Sequence, residues 1–99
     1  MPSELSSLIL AGATEPEAYS IMYDGGRRGY RIELRTIMEL FALQQLYQAT
    51  IKDSGWTMLN GVRGSQFAFI EAENPRYQIR IEFTQYTTAI VADIRVIAK

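Results

Sequence analysis

Residues 77–84, Tyr-Gln-Ile-Arg-Ile-Glu-Phe-Thr, decide the fold class of this chain. Apolar and polar side chains alternate through the stretch, and a period of two places each set on its own face of a β-strand. A strand with one apolar and one charged face is typical of an antiparallel sheet that covers a core on one side and meets water on the other. The stretch therefore predicts a half-buried strand within an antiparallel sheet.

Further strand patterns lie on both sides of it. After a weak break at residues 85–87, the stretch 88–98 also alternates, and we expect it to be an edge strand that is able to pair with a second copy. Before it, a turn at Asn74-Pro75 follows a strand over residues 66–73 with apolar side chains on both faces, which is typical of a central position. A short strand is predicted over residues 56–59.

The main helix is predicted over residues 36–54. Thr36 is placed to cap its start with Glu39 at the capping-box position, and Ser54-Gly55 is a typical helix end. Apolar residues cover well over half of the helix circumference, which is more than one sheet face needs. The pattern therefore predicts a helix that has apolar side chains beyond those that pack against the sheet.

A β-hairpin is predicted over residues 18–35, with its turn in the segment Asp24-Gly25-Gly26-Arg27-Arg28-Gly29. The glycines allow the positive φ angles that a tight reversal needs. Pairing Tyr23 with Tyr30 would place Tyr19 opposite Leu34. Ahead of the hairpin, residues 3–11 predict a short helix, and residues 1–17 comprise this helix and a connector.

Together these patterns predict a single small α+β domain over residues 1–99, of element order α-ββ-α-ββββ. We expect an antiparallel sheet of about five to six strands with the long helix packed across one face and a short N-terminal helix. The β-rich part covers residues 56–98. The sheet face away from the helix is predicted to carry Arg31, Glu33, Arg80, Glu82, Asp93 and Arg95.

The chain contains no histidine and no cysteine. These side chains supply the usual proton shuttle, the thiolate nucleophile and most nitrogen and sulfur ligands of metals. With no catalytic motif among the remaining residues, we expect a protein that is not an enzyme and uses no cofactor or metal. A basic N-terminal leader and a long apolar run are also missing, so the expectation is a cytoplasmic protein without a membrane partner.

The leading functional hypothesis is a non-enzymatic interaction or assembly protein, a homo-oligomeric accessory module of bacterial, phage or mobile-element origin. Its partner would be a second copy or another protein. Because the helix has more apolar surface than one sheet face needs, the predicted interface lies on the helix. It comprises Leu40, Leu43, Tyr47 and Ile51.

Two alternatives stay open. Eight of the ten basic residues are arginine, a side chain suited to phosphate, so a phosphate- or nucleic-acid-binding module is the first. Its candidate anion-binding residues are Arg27, Arg28, Arg31 and Arg63. Nucleic acid is not favoured, because the net charge is −1 and supplies no attracting field. The second alternative is a small-molecule-binding domain with an aromatic pocket between helix and sheet, lined by Trp56, Phe67 and Phe69.

Overall fold

A computed structural model describes Leu8, residues 14–22 by their backbone, and residues 28–99. Its elements are β1 (Thr14–Met22), β2 (Arg28–Thr36), α1 (Leu40–Asp53), β3 (Thr57–Arg63), β4 (Phe67–Glu73), β5 (Tyr77–Gln85) and β6 (Ile90–Ala98). The class is α+β, with one helix between a hairpin and a β-rich part, as predicted. The helix predicted over residues 3–11 lies outside the described residues, apart from Leu8.

The strands form one antiparallel sheet in the order β1-β2-β6-β5-β4-β3. After β2 the chain crosses through α1 to the far edge, then returns strand by strand until β6 pairs with β2. The prediction that the last strand is an exposed edge is therefore wrong. Both sides of β6 are hydrogen-bonded, and the edges among the described strands are β1 and β3.

The core lies between the sheet and α1, which packs over β3, β4 and β5. The alternation predicted for residues 77–84 is confirmed, because its apolar members are buried and its polar members are not. Leu8 is also fully buried in this core. The fully buried sheet residues are Ile32, Leu34, Ala68, Ile70, Ala72, Ile81, Phe83, Ala92, Ile94 and Val96.

Helix α1 starts later than predicted. Thr36 remains in β2, paired with Ile90, and its Oγ1 accepts a hydrogen bond from the backbone N–H of Met38. Glu39 caps the helix instead, accepting from the N–H of Phe41 at 3.2 Å. The predicted capping box fails because sheet pairing holds Thr36 in the strand.

The hairpin register also differs from the prediction. Tyr30 pairs with Ser20, where we expected Tyr23, and Tyr19 pairs with Arg31, where we expected Leu34. A displacement by an odd number of residues exchanges the two faces of a strand. Alternation alone does not specify how many residues the turn contains. The turn was predicted over residues 24–29, but Arg28 and Gly29 belong to β2, and residues 24–27 lie outside the described part of the chain.

Candidate interaction surfaces

The four helix residues predicted as an interface are inside the protein. Leu40 is 4% exposed, Leu43 and Ile51 are fully buried, and Tyr47 is 1% exposed. The Tyr47 ring packs against Phe83 with centroids 5.4 Å apart, and burial raises the pKa of its phenol. These side chains form the core of a single chain, so the prediction that they line an interface is wrong for this fold.

Other apolar side chains of α1 do face outward. Phe41 is 40% exposed and Leu46 is 38% exposed. The helix therefore does carry apolar side chains that do not pack against the sheet, but they are not the four residues that were predicted. Which apolar positions pack against the sheet depends on how the helix is rotated over β3, β4 and β5, and the sequence pattern did not specify that rotation.

The structure does not gather the predicted anion-binding arginines. Arg27 lies outside the described residues, and Arg28 is exposed at the start of β2. Arg31 is ion-paired with Asp93 at 3.0 Å. The Arg63 guanidinium stacks 4.1 Å from the centre of the Phe41 ring. Because β2 and β3 are four strand spacings apart in the sheet order, roughly 19 Å, Arg63 and Arg31 do not share a site.

The residues of the predicted aromatic pocket lie on opposite sides of the sheet. Trp56 is buried in the core beside Tyr77. Phe67 and Phe69 alternate with the core residues of β4 and therefore point away from the helix, with ring centroids 6.3 Å apart. These three side chains therefore do not line a common pocket. A groove of about 340 Å³ does lie on the far side of the sheet, with Leu59, Gln78, Arg80, Arg95 and Ile97 among its lining residues.

Strand β3 presents a different apolar surface. Leu59 is 54% exposed and Val62 is 47% exposed on this edge strand. Phe67 at the start of β4 and Phe41 on α1 are each 40% exposed beside it. We call the four side chains Phe41, Leu59, Val62 and Phe67, together with strand β3, the β3 edge surface. Edge strands usually carry charges that discourage pairing, whereas β3 carries only Arg63.

The backbone of β3 is held on its inner side. The buried Gln44 donates from Nε2 to the carbonyl oxygen of Val62 at 3.2 Å, which ties α1 to the strand. The pairing with β4 is irregular between Met58 and Asn60, and the Asn60 side chain accepts from the N–H of Gly61 at 2.9 Å. A bulge of this kind shortens the regular edge. The surface is therefore suited to side-chain docking with only a short backbone ladder.

The sheet face away from α1, called here the open face, carries the charged residues that alternation predicted there. Three of them, called the arginine row, stand directly opposite one another across three neighbouring strands. Arg95 of β6 pairs in register with Arg31 of β2 on one side and Arg80 of β5 on the other. Like charges directly opposite each other are unfavourable, so this row depends on nearby carboxylates.

Those carboxylates form a second row, two residues further along the strands. Asp93 of β6 pairs in register with Glu33 of β2 and with Glu82 of β5, and we call these three the carboxylate row. Among the residues that the structure describes, no group of three or more acidic side chains is arranged to hold a metal ion. The two rows instead face each other along the strands.

Ion pairs join the two rows. Arg31 holds Asp93 through two hydrogen bonds, from Nε and Nη2, both 3.0 Å long. Arg95 reaches the same carboxylate at 3.3 Å. Arg80 donates to Glu82 at 2.9 Å, and this hydrogen bond raises the pKa of Arg80. The sequence predicted which residues share this face, but the rows follow only from the strand order and register.

Within the described part of the chain, no helix combines the length and the apolar character needed to cross a bilayer. Comparison of the sequence with protein-family models gives no match, and none of the curated proteins matches it.

Proposed function

We propose that this protein is a non-enzymatic interaction and assembly module that forms homo-oligomers through the β3 edge surface. One observation carries the proposal: Leu59 and Val62 are each about half exposed on an edge strand that has no carboxylate. Exposed apolar side chains that cluster along a sheet edge gain free energy when another chain covers them. Phe41 flanks the strand on the helix side of the sheet and Phe67 flanks it on the other side, so a partner that wraps around the edge contacts both.

A second copy fits this surface. If two β3 strands pair antiparallel about Asn60, Arg63 of one copy lies near Thr57 of the other, while the irregularity between Met58 and Asn60 interrupts the regular register. This pairing brings no like charges together. The net charge of −1 also leaves little repulsion between copies. Because the irregular pairing lies near the centre of the strand, the contact would depend on side chains more than on backbone pairing.

The phosphate-binding alternative has less support. Among its four arginines, Arg31 is engaged by Asp93, and Arg63 stacks on Phe41 at the opposite side of the sheet. Phosphate recognition gains affinity from several cations converging on one anion. That convergence is absent among the described members of the set.

Light scattering coupled to size-exclusion chromatography tests the proposal, over a dilution series and at low and high salt. The wild type should elute as a multiple of 11.3 kDa that persists at high salt, since apolar contacts are not screened by salt. Val62→Lys should shift the equilibrium toward the monomer. Ile37→Lys is the matched control, because Ile37 is 91% exposed but lies outside the β3 edge surface.

A monomeric wild type at every concentration in high salt would overturn the proposal, as would a Val62→Lys variant with unchanged mass. The phosphate alternative is measured in parallel, by fluorescence anisotropy of a labelled single-stranded oligonucleotide at low salt. Binding that disappears in an Arg27→Ala/Arg28→Ala variant, whose oligomeric state is unchanged, would favour that alternative.

A further inference from the structure

The open face has a symmetry that the β3 edge surface does not use. Along β6, the side chains on this face are Val91, Asp93, Arg95 and Ile97. They form the sequence apolar, negative, positive, apolar. Reading β6 in the reverse direction gives the same sequence with the two charges exchanged. Because β6 lies between β2 and β5, this pattern occupies the interior of the face.

Strand β5 repeats the pattern next to it. Its open-face side chains are Gln78, Arg80, Glu82 and Thr84, in the order polar, positive, negative, polar. Register aligns the charged positions of the two strands, as described for the arginine and carboxylate rows. Within each strand, the two rows are separated by two residues, about 6.8 Å.

This arrangement is self-complementary under a two-fold rotation. The two-fold axis runs parallel to the rows, midway between them and above the face. Rotation about this axis places the arginine row of the second copy over the carboxylate row of the first. Arg95 then lies over Asp93 of the other copy, and Ile97 lies over Val91. Aligned sheets pack face to face at about 10 Å, a gap that arginine side chains from both copies can bridge.

We propose that two copies dock open face to open face in this way, a contact centred on β6, which lies three strand spacings from the edge strand β3. Arg95 has the capacity for it. Its side chain is 46% exposed, and among the described residues it donates one hydrogen bond, 3.3 Å long, to Asp93. A guanidinium carries five N–H donors, so Arg95 can also donate hydrogen bonds to a carboxylate of a second copy.

The charge pattern also favours a second copy of the chain as the partner at the open face. A partner whose surface carries one sign of charge, such as a polyanion, would be repelled by one of the two rows. A second copy supplies both signs at the required spacing. Such docking weakens with salt, because interactions between partly exposed charges are screened, whereas docking at the β3 edge surface does not.

The test uses the Phe41→Lys chain, in which the new charge disrupts the β3 edge surface from the helix side of the sheet and leaves the open face unchanged, measured by light scattering at about 50 mM and about 500 mM NaCl. The expected result is a species of twice the chain mass of 11.3 kDa at low salt that dissociates at high salt. A monomer at both salt concentrations overturns the face-to-face contact. The two proposals can fail separately. If the variant forms the salt-sensitive dimer but the wild type does not associate at high salt, the β3 proposal is overturned and the face-to-face contact is supported.

Charge variants in the same background test the geometry. Arg95→Glu places a carboxylate over Asp93 of the other copy and should weaken dimerisation by at least about tenfold. Lys52→Glu on exposed helix surface changes the net charge equally and should leave the dimer intact. Glu33→Arg should also dissociate it, although it shifts the net charge in the opposite direction. Circular dichroism checks folding of each variant, and a dimer that survives both Arg95→Glu and Glu33→Arg in folded form refutes the contact.

Discussion

The phenol hydroxyl of Tyr47 donates a 2.7 Å hydrogen bond to the backbone carbonyl oxygen of Leu8, a residue 39 positions earlier in the chain. Leu8 is fully buried and Tyr47 is 1% exposed. The bond therefore joins the middle of α1 to the start of the chain inside the core. Because only the neutral phenol donates, this contact makes stability depend on the ionisation of Tyr47.

Replacing Tyr47 with Phe should lower the free energy of unfolding by about 1–2 kcal/mol at neutral pH, since the carbonyl of Leu8 loses its buried donor. Burial raises the pKa of Tyr47 in the folded state, so above pH of about 10 the folded chain binds more protons than the unfolded chain. The corresponding stability is complete below that pH and declines as the pH rises toward the higher folded value.

Urea unfolding followed by Trp56 fluorescence, from about pH 7 to about pH 11, measures this effect. The wild type should lose stability more steeply than Tyr47→Phe in the alkaline range. Equal slopes for the two proteins would show that ionisation of Tyr47 does not limit alkaline stability.

Gly55 should tolerate alanine poorly. It ends α1 with a φ of 85°, and the N–H of the following Trp56 donates to the carbonyl of Ile51 at 3.0 Å. A Cβ at Gly55 would meet no heavy atom within 4 Å, so the penalty comes from the backbone alone. We expect Gly55→Ala to cost about 1 kcal/mol and Gly55→Asn less, because asparagine adopts left-handed angles more readily. Thermal unfolding compares the two, and an equal loss would contradict a conformational origin.

Gln44 should stabilise the attachment of β3 to the helix. Gln44→Leu removes the hydrogen bond to the carbonyl of Val62 and should cost about 1–2 kcal/mol. Gln45→Leu is the matched control, since Gln45 is exposed on the next helix position and leucine is no worse a helix former than glutamine. Chemical denaturation of both variants gives the comparison, and losses of similar size would mean that the Gln44 bond contributes nothing specific.

Local patterns predicted the elements well where a repeating period covered many residues. The alternation in residues 77–84 identified β5 and its buried face, and Ser54-Gly55 identified the end of α1. Prediction failed where a local signal competed with pairing to a distant strand. Thr36 has the chemistry of a helix cap, but its pairing with Ile90 kept it in the strand. The odd displacement of the β1–β2 register shows the same dependence on contacts distant in sequence.

The candidate surfaces were partly visible in the sequence. Strand parity placed Arg31, Asp93 and Arg95 on one face, because parity depends only on the period of two. It could not show that Arg31, Arg95 and Arg80 stand side by side, since that requires β6 between β2 and β5. Likewise, the excess apolar surface of the helix was evident, but the interface assigned to Tyr47 and its neighbours became core when the helix packed on the sheet.

The sequence by itself determined the α+β class, the boundaries of several strands, and the charged face of the sheet, because these follow from side-chain period and turn chemistry along short stretches of chain. Only the tertiary structure decided that β3 is an edge, that β6 is interior, and that opposite charges form two parallel rows. Those features arise from pairing between segments far apart in sequence. Their free energy depends on which strands meet, and no local pattern contains that information.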